Sequence, residues 1–359
     1  NVELQETTTT LKDVVISAEK ANNNVVSTQM SAQRLDMKEI KAIPVFFGEK
    51  DILKTIQLLP GITNVADGTS GFYVRGGGAD QNLILLDEAI VYNPTHLLGF
   101  FSVFNSDAIK DVTIFKGGIP AEYGGRISSV LDIKMNEGNS KKLSVSGGLG
   151  LIASRLTIEA PINKGKGSFI ISGRRTYADI VARPFEPKSI KGTKLYFYDF
   201  NLKANYQLTK KDRVFLSGYF GKDNFSFSNS SASNRSFGIN WGNATGTLRW
   251  NHLFGGKLFL NSSLIFTNYQ SNIIIGSGDA QFKVTTGIQD YSLKEDFSYF
   301  INTRHKAKFG FQSIYHTFIP GEISINTGGA PARLGRTIER KHALENAVYI
   351  SDDYTVTNW

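Results

Sequence analysis

No cysteine occurs among the 359 residues, which rules out a disulfide scaffold and thiolate metal sites and agrees with a compartment where stray thiols would be oxidised. No run of about 18 apolar residues occurs either, so a transmembrane helix is excluded. That does not exclude a membrane, because a transmembrane strand needs only about 9 to 11 residues with alternate positions apolar. The mean hydropathy of −0.18 suits both cases. A positively charged leader with an apolar segment is missing too, so the sequence is expected to be mature or trimmed.

Catalytic signatures are equally scarce. The five histidines, His96, His252, His305, His316 and His342, lack ligand spacing such as H-E-x-x-H, and no G-x-S-x-G is present. Gly76 to Gly78 lacks the spacing of a phosphate-cradling G-x-G-x-x-G, and its glycines suit positive φ and close packing instead. Asp87 and Glu88 invite a reading as paired acid–base carboxylates, but neighbours along a strand point to opposite faces. No enzyme, metal site or cofactor is expected.

What is present leans toward β-structure: 35 glycines, 14 tyrosines and 25 phenylalanines. Charge is uneven. Residues 20–139 hold 11 basic and 13 acidic side chains, whereas residues 140–359 hold 28 and 15. A nucleic-acid binder is the simple alternative for such a basic excess, but the charges are scattered through alternating segments and not clustered on one helix or with stacking aromatics, so no nucleic-acid partner is expected.

Two textures divide the chain. Glu49 to Leu59 has a helical pattern closed by Pro60 and Gly61. Strands are predicted at Gly71 to Arg75, Asn82 to Tyr92 and Asp111 to Lys116, with a helix from His96 to Ile109, which together make a small α/β domain. From Lys141 onward long alternating segments take over. In Leu195 to Leu208 one face carries Tyr196, Tyr198, Phe200, Leu202, Ala204, Tyr206 and Leu208, and the other Phe197, Asp199, Asn201, Lys203, Asn205 and Gln207. Lipid suits the first face and water the second. Short polar links at residues 163–167, 209–213, 255–257 and 302–305 alternate with long ones such as 182–194 and 229–240, a pattern of membrane barrels. About ten strands fit after Lys141.

Residues 72–136 resemble the plug domain of TonB-dependent outer-membrane receptors, in the VRG at Val74 to Gly76, the LILLDEAIVYN run, the FKGG at Phe115 to Gly118 and the EYGGR at Glu122 to Arg126. The resemblance implies an antiparallel membrane β-barrel with an N-terminal α/β plug in its lumen, about ten strands being present of a presumed 22 or so, that number being the size of plugged transporters. The sequence is then the N-terminal part of a chain about twice as long, because an open sheet edge in lipid leaves backbone unpaired. Expected boundaries are 1–19 for a flexible segment, 20–139 for the plug and 140–359 for the first part of the barrel.

The same resemblance makes Leu11, Lys12, Asp13, Val14, Val15, Ile16 and Ser17 the energy-coupling segment, the TonB box, an extended β-branched stretch suited to adding itself to a partner's sheet edge. It implies that Arg75 and Arg126 latch the plug to barrel carboxylates on later strands, a task that suits the bidentate guanidinium. Asn1 to Thr10 resembles the tail of the extension found in Bacteroidetes-type receptors. Tyr92, Asn93 and His96, in a turn-forming loop, are candidate ligand-facing residues.

The implied function is active import of a scarce ligand across a Gram-negative outer membrane. Partners are a TonB-type transducer of the inner membrane, outer-membrane lipid and lipopolysaccharide, a metal chelate, vitamin, glycan or peptide as ligand, and an accessory surface lipoprotein. The rivals are a non-transporting plugged barrel in a surface or secretion complex, and an outer-membrane barrel enzyme.

Overall fold

The computed structural model describes residues 31–37, 40, 50–66, 69–185, 193–229, 235–278, 280–327 and 338–356. Leu11 to Ser17 therefore lies outside the described residues.

Nine short strands build the N-terminal unit: β1 (Ala32–Asp36), β2 (Ile62–Asn64), β3 (Phe72–Val74), β4 (Asn82–Leu86), β5 (Ala89–Ile90), β6 (Thr95–His96), β7 (Phe101–Ser102), β8 (Ile109–Phe115) and β9 (Ser129–Met135). Five of them form a mixed sheet in the order β1-β8-β9-β4-β5, in which only β4 and β9 run parallel. One helical turn and a half, α1 (Ile52–Gln57), packs on it. Asp51 caps this helix by accepting from the backbone of Leu53 at 2.9 Å and Lys54 at 3.1 Å. Ile52, Leu53 and Ile56 then bury themselves with Phe104, Ile114, Leu131 and Ile133 in an apolar core.

The helix predicted from His96 to Ile109 is corrected. That stretch is the β6–β7 ribbon joined by a 3-10 turn, in which Leu97 and Leu98 take φ of 48° and 59°. Left-handed backbone ends any α-helix there. The long strand expected over Asn82 to Tyr92 is likewise cut in two, by a tight hairpin at Asp87 and Glu88 with φ of 44° and 76°. Positive φ at both central residues is the hairpin geometry that glycine or asparagine ordinarily supplies.

Ten strands follow as one antiparallel meander: β10 (Ser144–Leu149), β11 (Ala153–Ile162), β12 (Gly167–Thr176), β13 (Lys194–Gln207), β14 (Asp212–Asn229), β15 (Arg235–Leu253), β16 (Leu258–Ser277), β17 (Ala280–Phe300), β18 (His305–Thr327) and β19 (Lys341–Tyr354). The four short links fall where the polar motifs predicted them. The link expected over residues 229–240 is shorter, because β14 and β15 run on as a paired hairpin to Asn229 and Arg235. A short helix, α2 (Ala178–Ala182), stands in the link between β12 and β13.

The sheet is dressed opposite to a water-soluble one. On β13 the polar residues Asp199, Asn201, Lys203 and Asn205 are buried, Lys203 being 3% exposed, while Phe200 on the other face is 44% exposed. The same inversion holds for Ser217, Thr247 and Thr267 against Leu216, Leu248 and Leu264 on the next three strands. No described helix is long and apolar enough to cross a membrane. An outward apolar band on a β-sheet is the dress of a membrane barrel wall.

Gly138 joins the two parts. Its φ is 79°, and a Cβ placed there would stand 2.2 Å from the Phe169 carbonyl oxygen. Gly138→Ala is expected to destabilise the folded protein by about 2 kcal/mol or more. A lower thermal unfolding midpoint, with the unfolded baseline unchanged, checks this.

Candidate functional site

The N-terminal unit sits on the concave side of the meander, and it touches the wall strand after strand. Asp107 pairs with Arg155 of β11 at 2.7 Å, and the Asn105 amide donates to Ser172 of β12 at 2.8 Å. His96 meets β13 and β14, Asn93 accepts from Asn243 of β15 at 2.7 Å, and Glu88 accepts from Asn261 of β16 at 3.1 Å. The Tyr92 hydroxyl donates to Asp290 of β17 at 2.5 Å, and Glu122 holds Lys308 of β18 at 2.9 Å. The N-terminal unit thus meets eight consecutive strands on their inner face, as a stopper in a trough does.

Three knots dominate. In the first, Asp87 and Lys203 pair at 2.9 Å with both side chains almost fully buried, and the ammonium also donates to the Met135 carbonyl at 3.0 Å. Thr247 donates to the Asp87 carbonyl at 3.0 Å. The strained hairpin is thus clamped from two wall strands, which is how positive φ at non-glycine residues is sustained.

In the second, Glu88 faces Arg249 at 3.3 Å. Burial pushes its carboxyl up, but Lys134, Arg249 and Lys294 together outweigh that and hold it down at about 2. Its contribution to stability is therefore present above the ordinary carboxylate range and is lost only as pH falls toward 2.

The third centres on His96, whose ring is sealed at 1% exposure. Nδ1 lies 2.6 Å from Asp223, Nε2 lies 3.5 Å from Asp199 and 3.3 Å from the Tyr219 hydroxyl, and the Leu97 amide donates to Asp223 at 2.7 Å. The ring stacks on Phe197 at 4.0 Å, and Arg174 covers Phe197 at 4.9 Å while pairing with Asp199 at 2.6 Å. Burial lowers the imidazole pKa, yet the two aspartates overcome it and raise the value above that of a free histidine.

The candidate ligand-facing residues are thus reassigned by their contacts. His96 is corrected outright: a sealed ring held by two wall carboxylates faces no ligand. Asn93 folds back to accept from Thr95, its side-chain oxygen 2.9 Å from the Thr95 hydroxyl. Tyr92 alone borders open space, a cavity of about 700 Å³ between the plug sheet and β15 to β19, which Tyr123, Arg126, Lys294 and Lys308 also line. Arg75 donates to the Ser31 hydroxyl at 3.2 Å and Arg126 to the Gly125 carbonyl at 2.8 Å. Neither meets a wall carboxylate among the described residues. Sequence reasoning weighed Asp87 and Glu88 only as an acid–base pair and His96 only as ligand-facing, and did not assign the three to the seam with the wall. The available signal was the charge asymmetry, since a basic wall around an acidic stopper calls for carboxylates on the stopper. Among the described residues no three His, Asp or Glu side chains form a metal cage.

Residues 24–130 match the family model described as the TonB-dependent Receptor Plug Domain. Solved structures of similar fold include the outer membrane transporter YddB of Escherichia coli, at 11% identity and a TM-score of 0.65 over 90% of this chain and 54% of that one. The ferric enterobactin receptor PfeA of Pseudomonas aeruginosa gives 13%, 0.59, 92% and 56%. The ferric yersiniabactin uptake receptor FyuA of Yersinia pestis gives 13%, 0.54, 94% and 64%. The chain spans between half and two thirds of these proteins.

Proposed function

From a chain that carries the plug domain of TonB-dependent receptors on residues 24–130, followed by an open sheet with the fold of their outer-membrane barrels, we propose active import of a scarce ligand across the outer membrane of a Gram-negative bacterium. The observation that carries this reading is the inverted sheet: its apolar face is exposed, as a lipid-facing wall requires, and its polar face is filled by a separately cored stopper. Such a stopper closes the passage at rest and has to be moved by work.

The work enters through Leu11 to Ser17, gripped as an added strand by a TonB-type transducer of the inner membrane. Pull on the chain N-terminal to β1 loads the plug sheet at its edge, because among the described residues β1 is the outermost strand and pairs only with β8. Peeling from an edge demands less at any instant than unfolding the whole domain. Ligand binds above the plug, on the side of the long links. Arg75 and Arg126 are free to latch carboxylates of strands beyond β19. The ligand class, whether metal chelate, vitamin, glycan or peptide, and a surface lipoprotein that delivers it, belong to the same reading.

Deleting Leu11 to Ser17 tests it. Uptake of the ligand by cells is expected to fall to background while binding to the cell surface persists. Unchanged uptake would make the protein a passive plugged scaffold.

A further inference from the structure

The wall reverses its dress at the ends of β14 to β18 nearest the long links. Asp223 of β14 and Trp241 of β15 point inward, since Asp223 holds His96 and the Trp241 indole donates to the Thr95 carbonyl at 3.4 Å. Two and four residues further along, the same inner face carries Phe225 and Phe227 on β14, and Ile239 and Phe237 on β15. Directly opposed residues share a face. Cross-strand register therefore extends these into one inward row of Phe225, Ile239, Ile273, Val284 and Ile323, and a second of Phe227, Phe237, Ile275, Phe282 and Ile325. Not one of the ten is polar. The adjoining outward row is Asn224, Asn240, Asn272, Thr285 and Glu322, knitted where Asn272 donates to Asn240 at 2.8 Å and Thr285 to Asn272 at 2.7 Å.

Nearer the short turns the apolar side chains are outside, where Phe220, Leu216 and Leu248 are exposed. Here they are inside, so these strand ends stand clear of the acyl chains and turn a polar back to water. The inner rows are also uncovered among the described residues: Ile275 is 50% exposed, Ile273 and Phe282 are exposed with it, and the other seven are half-buried. A contiguous exposed apolar patch of this kind marks a place where something else docks. Five strands give it a width of about 19 Å, and its two rows lie about 7 Å apart. At the β14 end the rings of Phe225, Phe227 and Phe237 gather with centroids 5.6 to 6.4 Å apart, an aromatic corner formed before anything binds.

The occupant is read from what the rows offer and where they stand. They lie on the concave side of the trough, past the level at which the plug meets Asp223 and Trp241, and a concave apolar wall fits a small molecule better than a flat protein surface. Ten apolar side chains in register supply neither a cation nor a hydrogen bond. A glycan laid on them would leave its hydroxyls unpaired, and a polyanionic chelate would lose hydration for nothing. We propose that the two rows hold the apolar part of the ligand, which is an amphiphile with an extended hydrocarbon body and neither a glycan nor a polyanionic chelate. This rests on the import reading for the role of the site and narrows it to one chemical class.

The full-length protein in phosphatidylcholine bilayers, labelled by a long-chain alcohol carrying a photoactivatable diazirine, provides the test. Label on Phe225, Phe227 and Phe237 is read against label on the lipid-facing Leu216 and Phe220, which corrects for partition into the bilayer and shows that each variant is inserted. Excess unlabelled alcohol is expected to clear the three inner residues and to spare the outer two. Ile273→Ser with Ile275→Ser and Phe282→Ser is expected to lower the inner label about tenfold or more, the order of loss that even one methylene causes in a hydrophobic pocket. Ile274→Ser, on the outward face of the same strand, is expected to leave it unchanged. Absence of inner label in the native protein, equal inner label in the triple variant, or displacement of the alcohol by a soluble glucan or ferric citrate at equal concentration overturns the proposal. Deleting Leu11 to Ser17 should not change the label, so uptake that survives the deletion sinks the import reading alone, and uptake lost on deletion without inner label sinks this inference alone.

Discussion

Asp87→Asn is expected to loosen the plug from the wall by about 3 to 5 kcal/mol, the usual cost of leaving one member of a buried ion pair unanswered. Asparagine keeps the side-chain shape and tolerates the left-handed backbone at this position, so the hairpin survives and the effect isolates Lys203. The ammonium would retain the Met135 carbonyl and little else. Hydrogen exchange of the β4 and β9 amides measures the change. Lys203→Met alone should act as strongly, because it strands Asp87. The two together should recover much of the loss, since a neutral pair leaves neither a buried carboxylate nor a buried ammonium unanswered. Additive single effects would show that the two residues do not act as a latch.

An effect of similar size is expected at His96, with a pH signature. The groups facing the ring are Asp199, Asp223 and Tyr219, with Arg174 reaching it through Asp199. Because the folded pKa is raised, the stabilisation is fully present below about 6.5, the ordinary histidine value, and is lost as pH rises through the folded value. Plug protection in the native protein should decline on the alkaline side. In His96→Phe, which keeps the stack on Phe197 but leaves Asp223 without its charged partner while Asp199 retains Arg174, it should be about 3 to 5 kcal/mol lower and without that decline. A variant whose pH profile matches the native one would remove the charge from the explanation.

Much of the architecture was legible in the sequence because β-sheet geometry writes itself with period two. The alternation from Tyr196 to Leu208 assigned both faces of β13, and the polar links at residues 163–167 and 302–305 marked turns that exist. The helix expected after His96 failed because apolar spacing alone cannot register that Leu97 and Leu98 adopt left-handed backbone. The seam contacts of Asp87, Glu88 and His96 went unread for a related reason. Lys203 lies on the face assigned to water, and nothing local says that this water has been displaced by Asp87 from 116 residues away. Adjacent carboxylates were dismissed as a pair because strand neighbours diverge, whereas a tight turn lets each serve a different wall strand. Contacts of that range are set by the closure of the trough, which no local pattern encodes.

The division between the two kinds of burial has a mechanical consequence. The main plug core is apolar and its own, with Tyr219 the sole wall residue in that cluster among the described residues, whereas the seam with the wall is mostly ion pairs and hydrogen bonds, with one apolar patch where Leu97 and Phe101 meet Phe197. Water entering such a seam replaces each bond it breaks, so the net loss per contact is only about 0.5 to 1.5 kcal/mol, while water entering the core replaces nothing. Under load the assembly has a built-in shear plane: the polar seam slips in wetted steps while the cork's oily heart keeps its shape.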